Sequence, residues 1–144
     1  MLLGTFKDVR LYAGSLPVPP ELRSELEEGF VMTRGLDGCV AVFPRPKWEE
    51  LVQRIEERTS FLRRSARLFQ RHTYGDATVG ELDSEGQMKV PKELQRYAKL
   101  QDEVVIVGIA TRLEIWNPKR WKKQQSIIEE QAEKASEVLS ECGV

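Results

Sequence analysis

The sequence predicts an α+β fold in which two tandem repeats jointly build one sheet or barrel. The first observation is a phrase that occurs twice. Residues 13–22 read AGSLPVPPEL and residues 85–94 read EGQMKVPKEL. Gly14 and Gly86, Leu16 and Met88, Val18 and Val90, Pro19 and Pro91, Glu21 and Glu93, and Leu22 and Leu94 are each 72 residues apart. The second observation is that the likeness continues. At an offset of 73, Val31 falls over Val104, Gly35 over Gly108, Val42 over Ile115, Phe43 over Trp116 and Trp48 over Trp121. Order, spacing and residue class all match, so the chain is a tandem duplication. The third observation is size: a unit of about 45 residues buries too little to stand alone, so the two are expected to share a core.

Each unit reads as β-turn-β-α-β-β-α. Gly14 and Gly86 mark turns, because glycine tolerates positive φ. Beyond them Leu16 and Val18, and likewise Met88 and Val90, alternate as on a half-buried strand. Pro19 and Pro91 end those strands and suit the first position of the short helices PELRSEL and KELQRYA. FVMTRG and VVIVGIA are short and largely β-branched, so they read as strands, and CVAVF and RLEIW return as the second arms of hairpins. A second helix is expected after FPRP and after NPKR. Between the repeats, Leu51, Ile55, Phe61, Leu62, Leu68 and Phe69 recur at loosely helical spacing, which predicts one or two linking helices lying outside the sheet. The tail has Ile127, Ile128, Ala135, Val138 and Leu139 on a helical stripe, with Gly143 as a stop. The organisation expected is a first repeat over 5–48, a helical linker over 49–75, a second repeat over 76–121 and a helical tail over 122–144.

Composition narrows the function classes. The 144 residues carry 22 Lys and Arg against 23 Asp and Glu, a net charge of −1. Nucleic-acid binding therefore requires charge segregated onto one face. Two distant cysteines and a single histidine, His72, argue against a disulfide framework, a metal centre and a Ser-His-Asp triad. The N-terminus MLLGTFKDVR lacks the pattern of a signal peptide, and no run approaches the ~20 apolar residues of a membrane span. A cytosolic protein without metal, cofactor, membrane partner or small-molecule substrate is expected.

Several local features carry competing readings. Arg54, Arg58, Arg63, Arg64, Arg67 and Arg71 crowd the linker, with only Glu56 and Glu57 among them to oppose them. They suit phosphate contact, but a solvated helix face is the simpler reading. Lys119, Arg120, Lys122 and Lys123 form a second basic cluster, beside Trp116 and Trp121, which more simply pack inward with the cations on the wet side. His72, near a turn and without a nucleophile at informative spacing, reads as structural. Gly14-Ser15 matches the dipeptide at which some small β-barrel decarboxylases cleave themselves to form a pyruvoyl group, although Gln87 replaces the serine in the second copy.

The duplicated phrase resembles the two half-motifs of the MraZ family, bacterial proteins with paired SpoVT/AbrB-type domains. Each family copy typically reads D-x-K-G-R followed by apolar-x-apolar-P. MLLGTF, GFVMTRGLDGCVAVFP, WEEL, ARLFQR, GDATVGELDSEG, VPKELQRYAKL, EVVIVG and RLEIW resemble the family at corresponding places over about residues 1–122. The resemblance implies a double-ψ-like, swapped-hairpin β-barrel made by two βαββα repeats. It also implies a homo-oligomeric ring and a cytoplasmic, nucleoid-associated regulator that binds double-stranded promoter DNA of the division and cell-wall gene cluster. No enzymatic activity is implied.

The motifs themselves depart from the family. The first reads Leu11-Tyr12-Ala13-Gly14-Ser15 and the second Asp83-Ser84-Glu85-Gly86-Gln87. Where the family has an arginine after the glycine, Ser15 is too short to reach a phosphate or guanine, and Gln87 keeps hydrogen bonding without charge. Glu85 would repel phosphate. The residues placed at the DNA by the resemblance are therefore Ser15 and Gln87, with Arg10 and Lys89 as the nearby cations, ahead of Lys7 and Lys92. The alternative expectation is a ring-forming assembly or peptide-binding protein with little DNA affinity; the remote one is a pyruvoyl enzyme.

Overall fold

A computed structural model describes residues 1–144. The first repeat contributes β1 (Leu2–Arg10), β2 (Ser15–Pro17), the short α1 (Pro20–Arg23), β3 (Phe30–Arg34) and β4 (Val40–Pro44). Two helices follow, α2 (Arg45–Arg58) and α3 (Arg64–Gly75). The second repeat adds β5 (Thr78–Gly80), β6 (Gln87–Lys89), α4 (Lys92–Ala98), β7 (Glu103–Ala110) and β8 (Leu113–Trp116), and α5 (Pro118–Ser140) closes the chain.

The strands form a six-stranded antiparallel sheet, in the order β1-β7-β8-β4-β3-β5, and a two-stranded ribbon of β2 with β6. This order is a palindrome under the repeat. β1, β7 and β8 on one side correspond to β5, β3 and β4 on the other. The registers agree with a pseudo-two-fold relation: in the ribbon Leu16 opposes its own repeat mate Met88, and in the sheet Ala41 opposes its mate Glu114. Each repeat thus lends strands to a sheet that neither could complete.

The core follows from the same correspondence. Nineteen buried residues form one cluster bridging sheet and ribbon. Sixteen of them are repeat pairs: Leu16 with Met88, Val18 with Val90, Leu22 with Leu94, Leu26 with Ala98, Phe30 with Val104, Met32 with Ile106, Val40 with Leu113 and Val42 with Ile115. Only Leu2, Leu11 and Leu100 lack a mate in the cluster. Burying each large aliphatic or aromatic side chain stabilises by about 1.5–3 kcal/mol, and each repeat supplies eight of the sixteen paired residues. The duplication also extends to the aromatic packing. Phe43 and Trp48 have ring centroids 5.6 Å apart at 53°, and their mates Trp116 and Trp121 are 5.7 Å apart at 52°.

Three local expectations are corrected. Phe30 and Met32 face the core as Val104 and Ile106 do, so β3 corresponds to β7 at an offset of 74, and Val31 matches Val105 rather than Val104. β4 and β8 keep 73, because the hairpin between β7 and β8 is one residue shorter than that between β3 and β4. Pro19 and Pro91 occupy the N-cap with extended ψ of 134° and 146° instead of the first helical position. The tail does not begin at 122 as a separate element. With no helix breaker after Pro118, α5 runs unbroken for 23 residues.

Candidate nucleic-acid interface

The ribbon is organised by two turns, one from each repeat. In the first, Tyr12 and Ser15 exchange backbone hydrogen bonds of 2.9 and 3.0 Å. Ala13 and Gly14 between them both have positive φ, 49° and 79°. Two successive left-handed residues make the tight turn whose twist suits a hairpin. In the second, the Gly86 N–H donates to Asp83 O at 3.0 Å and the Asp83 N–H to Gln87 O at 3.1 Å. The Asp83 carboxylate also accepts from the backbone N–H groups of Glu85 and Gln87, each at 2.9 Å. Aspartate satisfies turn donors with its side chain in this way. Leu11, its counterpart in the first repeat, is buried in the core instead.

The two turns are stitched to each other. The Val90 N–H donates to Gly14 O at 2.8 Å, and the Val18 N–H to Gly86 O at 3.0 Å. Behind them Arg23 Nε donates to Val18 O and Gln95 Nε2 to Val90 O, both at 2.8 Å and 72 residues apart. A Cβ on Gly86 would sit 2.4 Å from the Arg23 guanidinium carbon, and one on Gly14 would sit 3.4 Å from the Gln95 amide nitrogen. Both glycines therefore serve the positive φ, and Gly86 also serves the close approach of Arg23 from the other repeat.

Leu16 and Met88 point inward, so alternation puts Ser15, Pro17, Gln87 and Lys89 on the outer face of the ribbon. Ser15 lies directly across from Lys89, and Pro17 across from Gln87. The structure thus brings together three of the four expected site residues. Arg10 stands apart, exposed at the end of β1 and in register with Glu103. The pairing of Ser15 with Lys89 was not legible in sequence, where the cation sits 74 positions away. The signal lay in the antiparallel pairing of two copies, which sets a charge from the second repeat beside the first turn. The second turn is poorer in cations. Arg23 is engaged with the Val18 carbonyl, and Glu27, Glu81 and Asp83 line the same depression.

Two further residues singled out by the sequence, Arg120 and His72, have structural partners. Arg120 donates to the Gly38 and Tyr97 carbonyls at 2.8 and 3.3 Å. His72 lies 3.3 Å from the Tyr97 hydroxyl, which donates to Gly35 O at 2.7 Å. Burial and then the Arg34 charge hold the His72 pKa below its usual 6.5, with Asp76 opposing. Arg34 pairs with Asp76 at 2.6 Å and covers the Tyr97 ring. Cys39 is buried, and its thiol is pushed up chiefly by desolvation and secondly by Glu114. No helix is long and apolar enough to cross a membrane.

The arrangement defines a class: a duplicated α+β chain whose repeats share a core and present two interlocked turns. The family model described as "MraZ protein, putative antitoxin-like" matches residues 12–72 and again 73–141. A protein of Halothermothrix orenii named "Transcriptional regulator MraZ" is 36% identical over 144 residues, covering all of both chains. Proteins of the same name from Pediococcus pentosaceus and Moorella thermoacetica are 35% identical over 144 residues and 40% over 123 residues, the latter covering 85% of each chain. The chain belongs to the MraZ family.

Proposed function

We propose that the protein is a DNA-binding transcriptional regulator whose DNA face is the outer surface of the β2–β6 ribbon and its two turns. The names of the relatives support regulation of transcription, and the observation that carries the site is the pairing of the two motif segments, Ser15 opposite Lys89 and Pro17 opposite Gln87. A two-stranded ribbon fits the major groove, about 12 Å wide. Lys89 provides charge across from Ser15 at the first turn, with Arg10 further off at the end of β1, whereas Glu85 and its acidic neighbours make the second turn the weaker contact. Ring assembly of identical subunits, a swapped-hairpin barrel, the repeat boundaries 5–48 and 76–121, and residence at the nucleoid belong to the same reading, supported by family membership.

Binding to DNA from upstream of its own gene cluster, compared with scrambled DNA of equal length, tests the function. Preferential binding that weakens as salt rises is expected. Equal, negligible binding to both would favour the reading in which the ring serves assembly alone. Mass spectrometry of the denatured chain addresses the pyruvoyl alternative, since cleavage between Gly14 and Ser15 would leave two fragments and a regulator one intact chain.

A further inference from the structure

Two surfaces outside the ribbon have no partner within the chain. The first is α5. At 3.6 residues per turn, Ile127, Ile128, Ala132, Ala135, Val138 and Leu139 fall on one arc of roughly 140°, interrupted by Gln131. Glu129, Glu130, Glu133 and Glu137, with Glu141 at the C-cap, occupy the rest, and beyond Lys123 only Lys134 opposes them. The apolar arc lies bare: Ile127 is 42% exposed and Val138 65%. The second is the tip of the α2–α3 hairpin. Phe61 and Leu62 are 71% and 77% exposed there. From Arg58 to Gly75 five arginines meet no acidic residue. Arg67 is spent on the Phe61 and Leu62 carbonyls, but Arg58, Arg63, Arg64 and Arg71 form no ion pair, and neither do the four glutamates of α5 or Glu141 at its C-cap.

We infer that the acidic, apolar face of α5 docks on the arginine-rich tip of the α2–α3 hairpin of a second copy of this chain. Electrostatics chooses this pairing over its rivals. Two copies of α5 packed together would juxtapose their glutamates, and two tips would juxtapose their arginines; only the mixed pair joins opposite charges around apolar centres. A contact between two different surfaces of identical chains is heterologous, so it propagates around a ring or along a filament instead of stopping at a dimer. The inference rests on the proposed self-assembly and identifies the surfaces that would make it.

Charge exchange tests the pairing. Arg63→Glu with Arg64→Glu places acids at the start of α3, and Glu133→Arg with Glu137→Arg places bases toward the end of α5; both suit the helix dipole and leave the fold intact. Light scattering and sedimentation across a dilution series at moderate salt are expected to show assembly weakened at least tenfold by either pair. Mixing the two variants is the sharper arm, because a copy with a reversed tip then meets a copy with a reversed α5. Combining all four changes in one chain restores complementarity at every contact and is expected to restore the assembly. Unchanged assembly in both pairs, or no recovery in the combined variant, would overturn the inference. Loss of DNA binding by the tip variant with assembly intact would also overturn it, and would assign the tip to phosphate. An unsubstituted chain that stays at 16.5 kDa throughout would instead refute the self-assembly on which it rests.

Discussion

Gly14 and Gly86 hold equivalent positions, yet the neighbours they face differ. Both have φ near +77°, at 79° and 75°, so any side chain is strained by about 1–3 kcal/mol. At Gly86 a Cβ would also displace Arg23 from the Val18 carbonyl, whereas at Gly14 it would meet the Gln95 amide at ordinary contact distance. Gly86→Ala is therefore expected to lower the urea midpoint more than Gly14→Ala. Equal losses would mean that the Arg23 contact adds nothing. His72 gives a pH-dependent counterpart. Its pKa is lowered in the fold, first by burial and then by Arg34, so the unfolded chain binds more protons near pH 6. The neutral imidazole costs the fold nothing above 6.5, and stability falls as pH drops through that value toward the lower folded pKa. His72→Gln should reduce the difference between urea midpoints measured at pH 7.5 and 5.5. A difference left unchanged would place the acid sensitivity in other groups.

At the scale of elements, α5 shows how one residue both caps a helix and ties it to the end of α4. Asn117 caps it, its side-chain oxygen accepting from the N–H groups of Lys119 at 2.8 Å and Arg120 at 3.3 Å, while its amide donates to Lys99 O at 2.8 Å. Loss of an N-cap costs about 1 kcal/mol, and loss of a further hydrogen bond a similar amount. Asn117→Ala should therefore destabilise by about 2 kcal/mol in chemical unfolding. A loss below half that would show that water replaces the cap. The strands themselves were legible because alternation and β-branching are local properties, as in Leu16 and Val18 or Val104 and Ile106. The register was not. One missing residue between β7 and β8 shifts the offset from 74 to 73, and only the burial of Phe30 and Met32 reveals on which side of the hairpin it falls.

For the whole molecule, the repeat foretold a shared core, because sixteen of its nineteen residues belong to matched pairs. It did not foretell which segments pair, since strand pairing is a long-range property. The antiparallel contact of β2 with β6 places Lys89 across from Ser15 and turns two sequence-remote motifs into one surface. That surface is the centre of the functional account, and its charge can be restored. Each new phosphate contact steepens the dependence of log affinity on log salt by about 0.9. The decisive measurement is promoter binding by the native protein and by Ser15→Arg with Gln87→Arg, across a salt series. Binding at least tenfold tighter at moderate salt, with a steeper slope, is expected of the double variant. Affinity and slope unchanged by both arginines would contradict it, because the outer face of the ribbon would then not meet DNA.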